Sequence, residues 1–232
     1  MTHWTFRKAL EKGIDVARNE GLRSLGIKIL RETVCFHMNL IERDLSLPVQ
    51  EWRPRVPISI GLLEADDVDA YLAFRPGTAR DEILGRLRDG QVGIVVRHEG
   101  RMVNAIWVAL RKARIASLDL ELELGPDEGF VYDSYTEPAY RGQNIAPARG
   151  MLMFSHCRTI GLRRLLAVIL PGDQSASRSK EKTGWRRIGV VGVFRIGPFR
   201  RPFGHVRHGP LPWFLTKPGG FERIRDVRGA RP

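Results

Sequence analysis

The sequence predicts an α/β domain with a mixed sheet and helices on its faces, and three observations carry that expectation. Segments with strand and helix periodicity alternate in the order β-α-α-β-β-β-α-β-α-β. Apolar residues make up 43% and charged residues 28% of the 232 positions, which suits a chain that buries a core rather than a fibrous or disordered one. No stretch approaches the roughly 20 apolar residues needed to span a bilayer, because Arg, Lys, Glu or Asp interrupts every candidate.

Taken in order, Phe6, Leu10, Ile14 and Ala17 recur at helical spacing with charged residues between them, an amphipathic helix ending near residues 19–21. From Leu22 to Leu47 a second apolar segment follows. Its stretch TVCFHMNLI, residues 33–41, is rich in β-formers without clean alternation, so helix and strand both fit; helix and then strand is the expectation. PVQEWRPRVP, with three prolines in ten residues, reads as an extended linker closing an N-terminal extension over residues 1–50.

Ile58 to Leu63 reads as a strand. Ala65 to Phe74 reads as a helix whose acidic first turn (Asp66, Asp67, Asp69) suits the helix dipole. A second helix spans Asp81 to Asp89. Val92 to His98 and Met102 to Leu110 or beyond form a hairpin about Glu99-Gly100. Phe130 to Thr136 is a strand, Ala146 to Ile160 a helix, Arg164 to Leu170 a strand, Ser175 to Thr183 a helix and Trp185 to Ile196 a strand. The main domain is expected over 51–204 and a basic, partly irregular tail over 205–232.

Charge is distributed unevenly. Residues 1–177 hold 24 basic and 23 acidic side chains, whereas residues 178–232 hold 14 and 3, so nearly all of the net charge of +12 lies in the last quarter. Such a field draws anionic partners: a phosphorylated cofactor, an acidic carrier protein, nucleic acid or a lipid surface. Cys35 and Cys157 stand far apart without a secretory leader, which favours a reducing cytoplasm over a disulfide framework. His205 and His208 have no third ligand in spacing, so no metal is expected.

The most informative stretch is FVYDSYTEPAYRGQNIAPARG, residues 130–150. A strand ends at Thr136, and Arg141 to Ala146 turn directly into a helix with Pro147 in its first turn, where a missing N–H costs nothing. Such a turn aims backbone N–H groups and the positive end of a helix at one spot, a ready anion site. The stretch resembles the cofactor loop of the GNAT acyltransferase superfamily, Arg/Gln-x-x-Gly-x-Gly/Ala, here Arg141-Gly-Gln-Asn144-Ile-Ala146. Asn144 stands where the family has a central glycine, and asparagine is among the few residues that tolerate φ > 0. Glu181-Lys-Thr-Gly184-Trp185 resembles the family's Glu-Lys-x-Gly-Phe. By element order the resemblance spans Pro57 to Phe199.

The resemblance implies a mostly antiparallel central sheet with helices on both faces, and an acyl-CoA enzyme, acetyl-CoA being the expected donor. Tyr135 and Thr136 would line the pantetheine arm, and Arg141, Gly142, Gln143, Asn144, Ile145 and Ala146 the pyrophosphate. Ser177 and Lys180 lie on the helix that flanks the cofactor. Lys180 occupies the place where many relatives carry a tyrosine acid, so Lys180 or water would take that part. An amine acceptor would attack the thioester directly. Asp133 and Glu137 are the candidate bases, set against plainer parts as a strand-end partner and a solvated residue. Tyr132 and Tyr135 are candidate substrate contacts or donors, set against packing. The acceptor is expected to be a small or carrier-linked anionic amine. A long-chain transferase fed by an acidic acyl carrier protein and a silent polyanion-binding module are the alternatives. For the basic, aromatic tail, covering the cleft is favoured over nucleic acid; for residues 1–50, packing on the domain or on a second copy is favoured over a membrane surface.

Overall fold

The computed structural model describes residues 35–196, 199–206 and 222–223. The expected N-terminal helix, the first part of the apolar segment after it, and most of the basic tail, His208 included, lie outside the described residues. The described residues belong to two units, one of Met38–Val190 with His205–Lys217, the other of Met1–His37, Val191–Gly204 and Pro218–Pro232.

In chain order the elements are β1 (Cys35–Asp44), β2 (Ser59–Leu62), a 3₁₀ turn (Ala65–Asp67), α1 (Val68–Phe74), α2 (Arg80–Arg88), β3 (Val92–His98), β4 (Arg101–Leu110), β5 (Lys112–Ile115), β6 (Leu120–Glu123) and β7 (Glu128–Thr136). After a second 3₁₀ turn (Pro138–Tyr140) come α3 (Ile145–Thr159), β8 (Arg164–Ile169), α4 (Gln174–Glu181), β9 (Arg186–Ile196), β10 (Phe199–Val206) and β11 (Glu222–Arg223). The ambiguous segment is thus a strand from Cys35. Expected ends shift by a residue or two elsewhere, where terminal turns fray.

The larger unit is a sheet in the order β1-β8-β7-β4-β3-β2. Every neighbouring pair is antiparallel except β7 and β8. Helices cover both faces, as expected. Ile94, Ile106, Val108 and Val131 point to one side and pack with Met153, Phe154 and Cys157 of α3. Their pleat neighbours Val95, Ala105 and Trp107 point to the other, against Val68 and Tyr71 of α1 and Ile83 of α2. Trp107 is fully buried because its indole N–H donates to the Tyr71 hydroxyl at 3.0 Å. The β3–β4 hairpin closes on Glu99 and Gly100, both at positive φ, the two-residue turn that the right-handed strand twist favours.

An unexpected element is the β5–β6 hairpin. Ala113, Ile115, Leu120 and Leu122 alternate inward, but the turn between them has no glycine or proline and closes on Asp119 at φ +50°. Without a breaker the pattern reads as a continuation of β4.

In the smaller unit β10 pairs antiparallel with β11, and the Phe194 and Phe203 rings stack 4.5 Å apart. Gly192 has no room for a side chain there, since a Cβ would meet the Phe203 ring at 2.5 Å.

The feature that positions the site is the short pairing of β7 with β8. The two strands pair only over Glu128–Phe130 against Arg164–Leu166; β8 continues along β1 and β7 along β4. A bulge in β7 accompanies the divergence: Ala105 faces Tyr135 and Trp107 faces Tyr132, so Asp133 and Ser134 both stand opposite Ile106, with Asp133 at φ +47°. An extra residue bends a strand and raises its twist, here away from β8. Gly129 sits at the crotch, where a Cβ would lie 2.8–2.9 Å from Leu165, Leu162 and Val108. Gly129→Ala is therefore expected to destabilise the fold by about 1–3 kcal/mol through overpacking, measured as a lower urea midpoint with unchanged slope.

Candidate functional site

Among the described residues β7 has one unpaired edge beyond Phe130, and it leads to the turn before α3. Arg141 is extended, Gly142 has φ +77° and Asn144 sits in the left-handed region at φ +58°, ψ +18°. The expected conformation of Asn144 is thus present. The turn is braced from outside: the Arg55 N–H donates to the Gln143 carbonyl at 2.9 Å, and the Asn144 amide nitrogen donates to the Arg53 carbonyl at 3.5 Å. The proline-rich linker thereby holds the loop.

The start of α3 differs from the start of α4. Asp173 caps α4, accepting from the Ala176 N–H at 2.9 Å. On α3 the Asn144 side chain makes no cap bond, and its first turn carries no acidic side chain. The Ile145 and Ala146 N–H groups therefore have no side-chain acceptor from the cap. Ile145 itself is buried with Val96 and Val103, which fixes the helix end against the sheet. This geometry fits a bound pyrophosphate: uncapped N–H groups, a positive helix end and an unpaired strand edge leading to them.

The bulge decides which way the β7 side chains face. Tyr132 and Tyr135, three apart, would lie on opposite faces of a regular strand; with the extra residue both lie on the α1–α2 side. Tyr135 packs on Phe74, centroids 5.4 Å apart, with the Arg75 guanidinium 4.3 Å over its ring. The Tyr132 hydroxyl donates to Gln91 Oε1, and burial pushes its pKa up, keeping the phenol protonated. Asp133 turns to the same side. Its Oδ1 accepts from Arg75 at 2.9 Å and its Oδ2 from Arg86 at 2.8 Å. Burial opposes the Arg86 charge, but the bonds to Asp133 and to Glu82 outweigh it and hold the guanidinium above its ordinary pKa.

Arg75, Glu82, Arg86, Gln91, Tyr132 and Asp133 line a cavity of about 790 Å³ together with Lys112 and Arg114 of the β5–β6 hairpin, Phe130 and Val131 of β7, and Val168 of β8; Tyr135 packs beside it and does not line it. It opens beside the gap between β7 and β8 and has the size of a small-metabolite site.

On the opposite face Thr136 and Ser134 meet α3. The Thr136 hydroxyl accepts from Asn104 Nδ2 at 2.7 Å, and Asn104 Oδ1 accepts from Arg149 at 2.5 Å. Arg149 also donates to the Ala105 carbonyl at 3.2 Å and approaches the Ser134 hydroxyl at 3.4 Å. Lys180 is half-buried with its ammonium 4.1 Å over the Trp185 ring. Burial, followed by the charge of Arg149, pulls its pKa down to about 7. Ser177 lies on the same short helix, its N–H donating to the Asp173 carbonyl.

The structure thus brings Asp133 and Tyr132 to one wall, while Tyr135, on the same face, packs against Phe74 and Arg75 outside the cavity lining. Glu137 stands apart: it lies past the end of β7, 3.7 Å from Arg101, and does not line the cavity. Cys157 is buried, with its thiol pushed up to about 12 by desolvation, as suits a core residue. Sequence reasoning missed Arg75, Arg86, Asn104 and Arg149. For Arg149 a signal existed, since it lies four residues after Ile145 and four before Met153, inside the apolar stripe of α3. Arg75 and Arg86 left no local trace, because they reach Asp133 across 58 and 47 positions.

No protein-family model and no curated protein matches the chain. Among solved structures it is similar to a Trypanosoma brucei acetyltransferase, at 22% identity over 67% of this chain and 99% of that one, with a TM-score of 0.41. It is similar to a GCN5-related N-acetyltransferase from Kribbella flavida, at 15% identity over 72% and 60%, TM-score 0.46. A third likeness is to an aminoglycoside N-acetyltransferase solved in complex with CoA, at 14% identity over 56% and 92%, TM-score 0.45. Among the described residues no helix is long and apolar enough to cross a membrane.

The left-handed turn yields a test. Asn144→Val is expected to cost about 1–2 kcal/mol, because a β-branched residue resists positive φ, whereas Asn144→Gly retains the turn. Thermal unfolding and coenzyme A titration of both variants measure it, with affinity lost in the valine variant alone.

Proposed function

We propose that this chain, whose sheet has the GNAT-like arrangement expected from its sequence, is an acyl-CoA-dependent N-acyltransferase acting on a small amine. The observation that carries the reading is the unpaired edge of β7 running into the uncapped start of α3. An extended pantetheine arm can bond to that edge as an added strand would, while the N–H groups of the loop take the diphosphate. The co-substrate supplies an activated acyl carbon, whose C–S bond breaks as the new C–N bond forms.

The chain's residues divide the remaining work between the two faces. The cavity on the α1–α2 side holds the acceptor. Asp133 spends one lone-pair direction of each oxygen on a guanidinium and keeps others, so it can accept a hydrogen bond from the incoming ammonium. Arg75 and Arg86 fix the carboxylate in one orientation, and the open cavity lets water carry the amine's proton away. Tyr132 and Phe130 supply its aromatic wall. On the other side Lys180, protonated, gives a proton to the departing sulfur. Its amine, desolvated and near its own pKa at neutral pH, suits that task better than an ordinary lysine. Arg75, Arg86, Lys112 and Arg114 against Glu82, Glu121 and Asp133 leave the cavity wall with one surplus positive charge, consistent with an acceptor that carries an anionic group.

Two outcomes follow. Turnover is expected to fall as pH rises through about 7, because protonated Lys180 is the donating form; Lys180→Met should lower kcat by about 100-fold and remove that alkaline limb. Asp133→Asn should raise the KM for the amine while leaving coenzyme A affinity in place, measured by acceptor titration and by calorimetry with coenzyme A.

A further inference from the structure

Among the described residues nothing balances the charge of Arg149. It is 4% exposed, and all of its partners are neutral: the Asn104 amide oxygen, the Ala105 carbonyl and the Ser134 hydroxyl. Its Nε is buried with no hydrogen-bond partner. Among the described residues no carboxylate forms an ion pair with it. A buried cation costs several kcal/mol unless an anion joins it, and a neutral glutamine could tie α3 to β4 through the same Asn104 and Ala105 oxygens without that cost. Retaining a guanidinium here calls for an anion that comes and goes.

The position narrows what that anion is. Arg149 lies beneath the bulge, reaching toward the exposed Ser134 on the unpaired stretch of β7, one turn of α3 in from the loop. Moving along β7 from Thr136 to Ser134 leads away from the diphosphate end of the cleft and toward its acyl end. Lys180, a second cation without an acidic partner among the described ion pairs, is close enough to feel the charge of Arg149. Two like charges held together in a partly dry cleft repel, which adds to the cost of the buried guanidinium.

Resting on the reading of this cleft as an acyl-CoA site, we propose that Arg149 receives a carboxylate on the acyl group, making the preferred donor the CoA thioester of a short dicarboxylic acid. A full charge present in the bound donor balances the buried guanidinium throughout the complex.

Calorimetry on the full chain tests this with succinyl-CoA and malonyl-CoA against butyryl-CoA and acetyl-CoA, with free coenzyme A as a control. The carboxylate-bearing donors are expected to bind about tenfold or more tightly than the neutral ones, and Arg149→Gln should close that gap. Equal affinity for succinyl-CoA and butyryl-CoA in the native protein overturns the proposal, whether or not the variant folds. A preference that survives Arg149→Gln overturns it as well, as does a variant that slows acetyl and succinyl transfer equally without changing the ratio of their affinities. Binding of coenzyme A with no preference among its esters defeats this inference alone; no binding of coenzyme A itself defeats the acyl-CoA reading and this one together.

Discussion

The parting of β7 from β8 after three paired residues is the constraint on which the rest of the molecule depends. A sheet interior normally satisfies both edges of every strand, since an unpaired backbone edge must find water or a ligand. Here the Asp133–Ser134 bulge bends β7 away while β8 stays on β1, and the tightly packed Gly129 keeps the crotch closed just below. The gap is held open by the fold instead of by a mobile loop. It leaves the turn before α3 with an adjoining strand edge.

The same bulge sorts chemistry between faces. By shifting the pleat by one residue it places Tyr132, Asp133 and Tyr135 beside α1 and α2, and leaves Ser134 to meet Arg149 of α3. Arginines then dominate both sides, but in different states. Arg75 and Arg86 share one carboxylate and have an aromatic ring nearby, a stable arrangement that orients Asp133. Arg149 has only neutral hydrogen-bond partners among the described residues. Paired charge lines the cavity on one face, and a guanidinium with only neutral hydrogen-bond partners lies on the other.

Much of this was legible along the chain wherever the signal was local. The Glu99-Gly100 hairpin, the strand ending at Thr136, the turn at Asn144 and the helix beginning with Ile145 each announce themselves through residues a few positions apart. The β5–β6 hairpin did not, because its turn ends in an aspartate at positive φ and lacks the usual breakers. Asp133 could be nominated from sequence, but its two guanidinium partners could not. Glu137, nominated beside Asp133, lies past the end of β7 near Arg101 and outside the cavity lining.

By itself, the sequence determined the order of elements and the conformation open to Asn144. These depend on backbone sterics, hydrophobic periodicity and spacing, which act over one or two turns. Tertiary structure alone decided that β7 and β8 separate, that Asp133 is clamped by arginines about fifty residues away, and that Arg149 is buried beside Lys180 without an acid. Those outcomes depend on where water is excluded and which charges share the excluded space, and only the folded chain defines that volume.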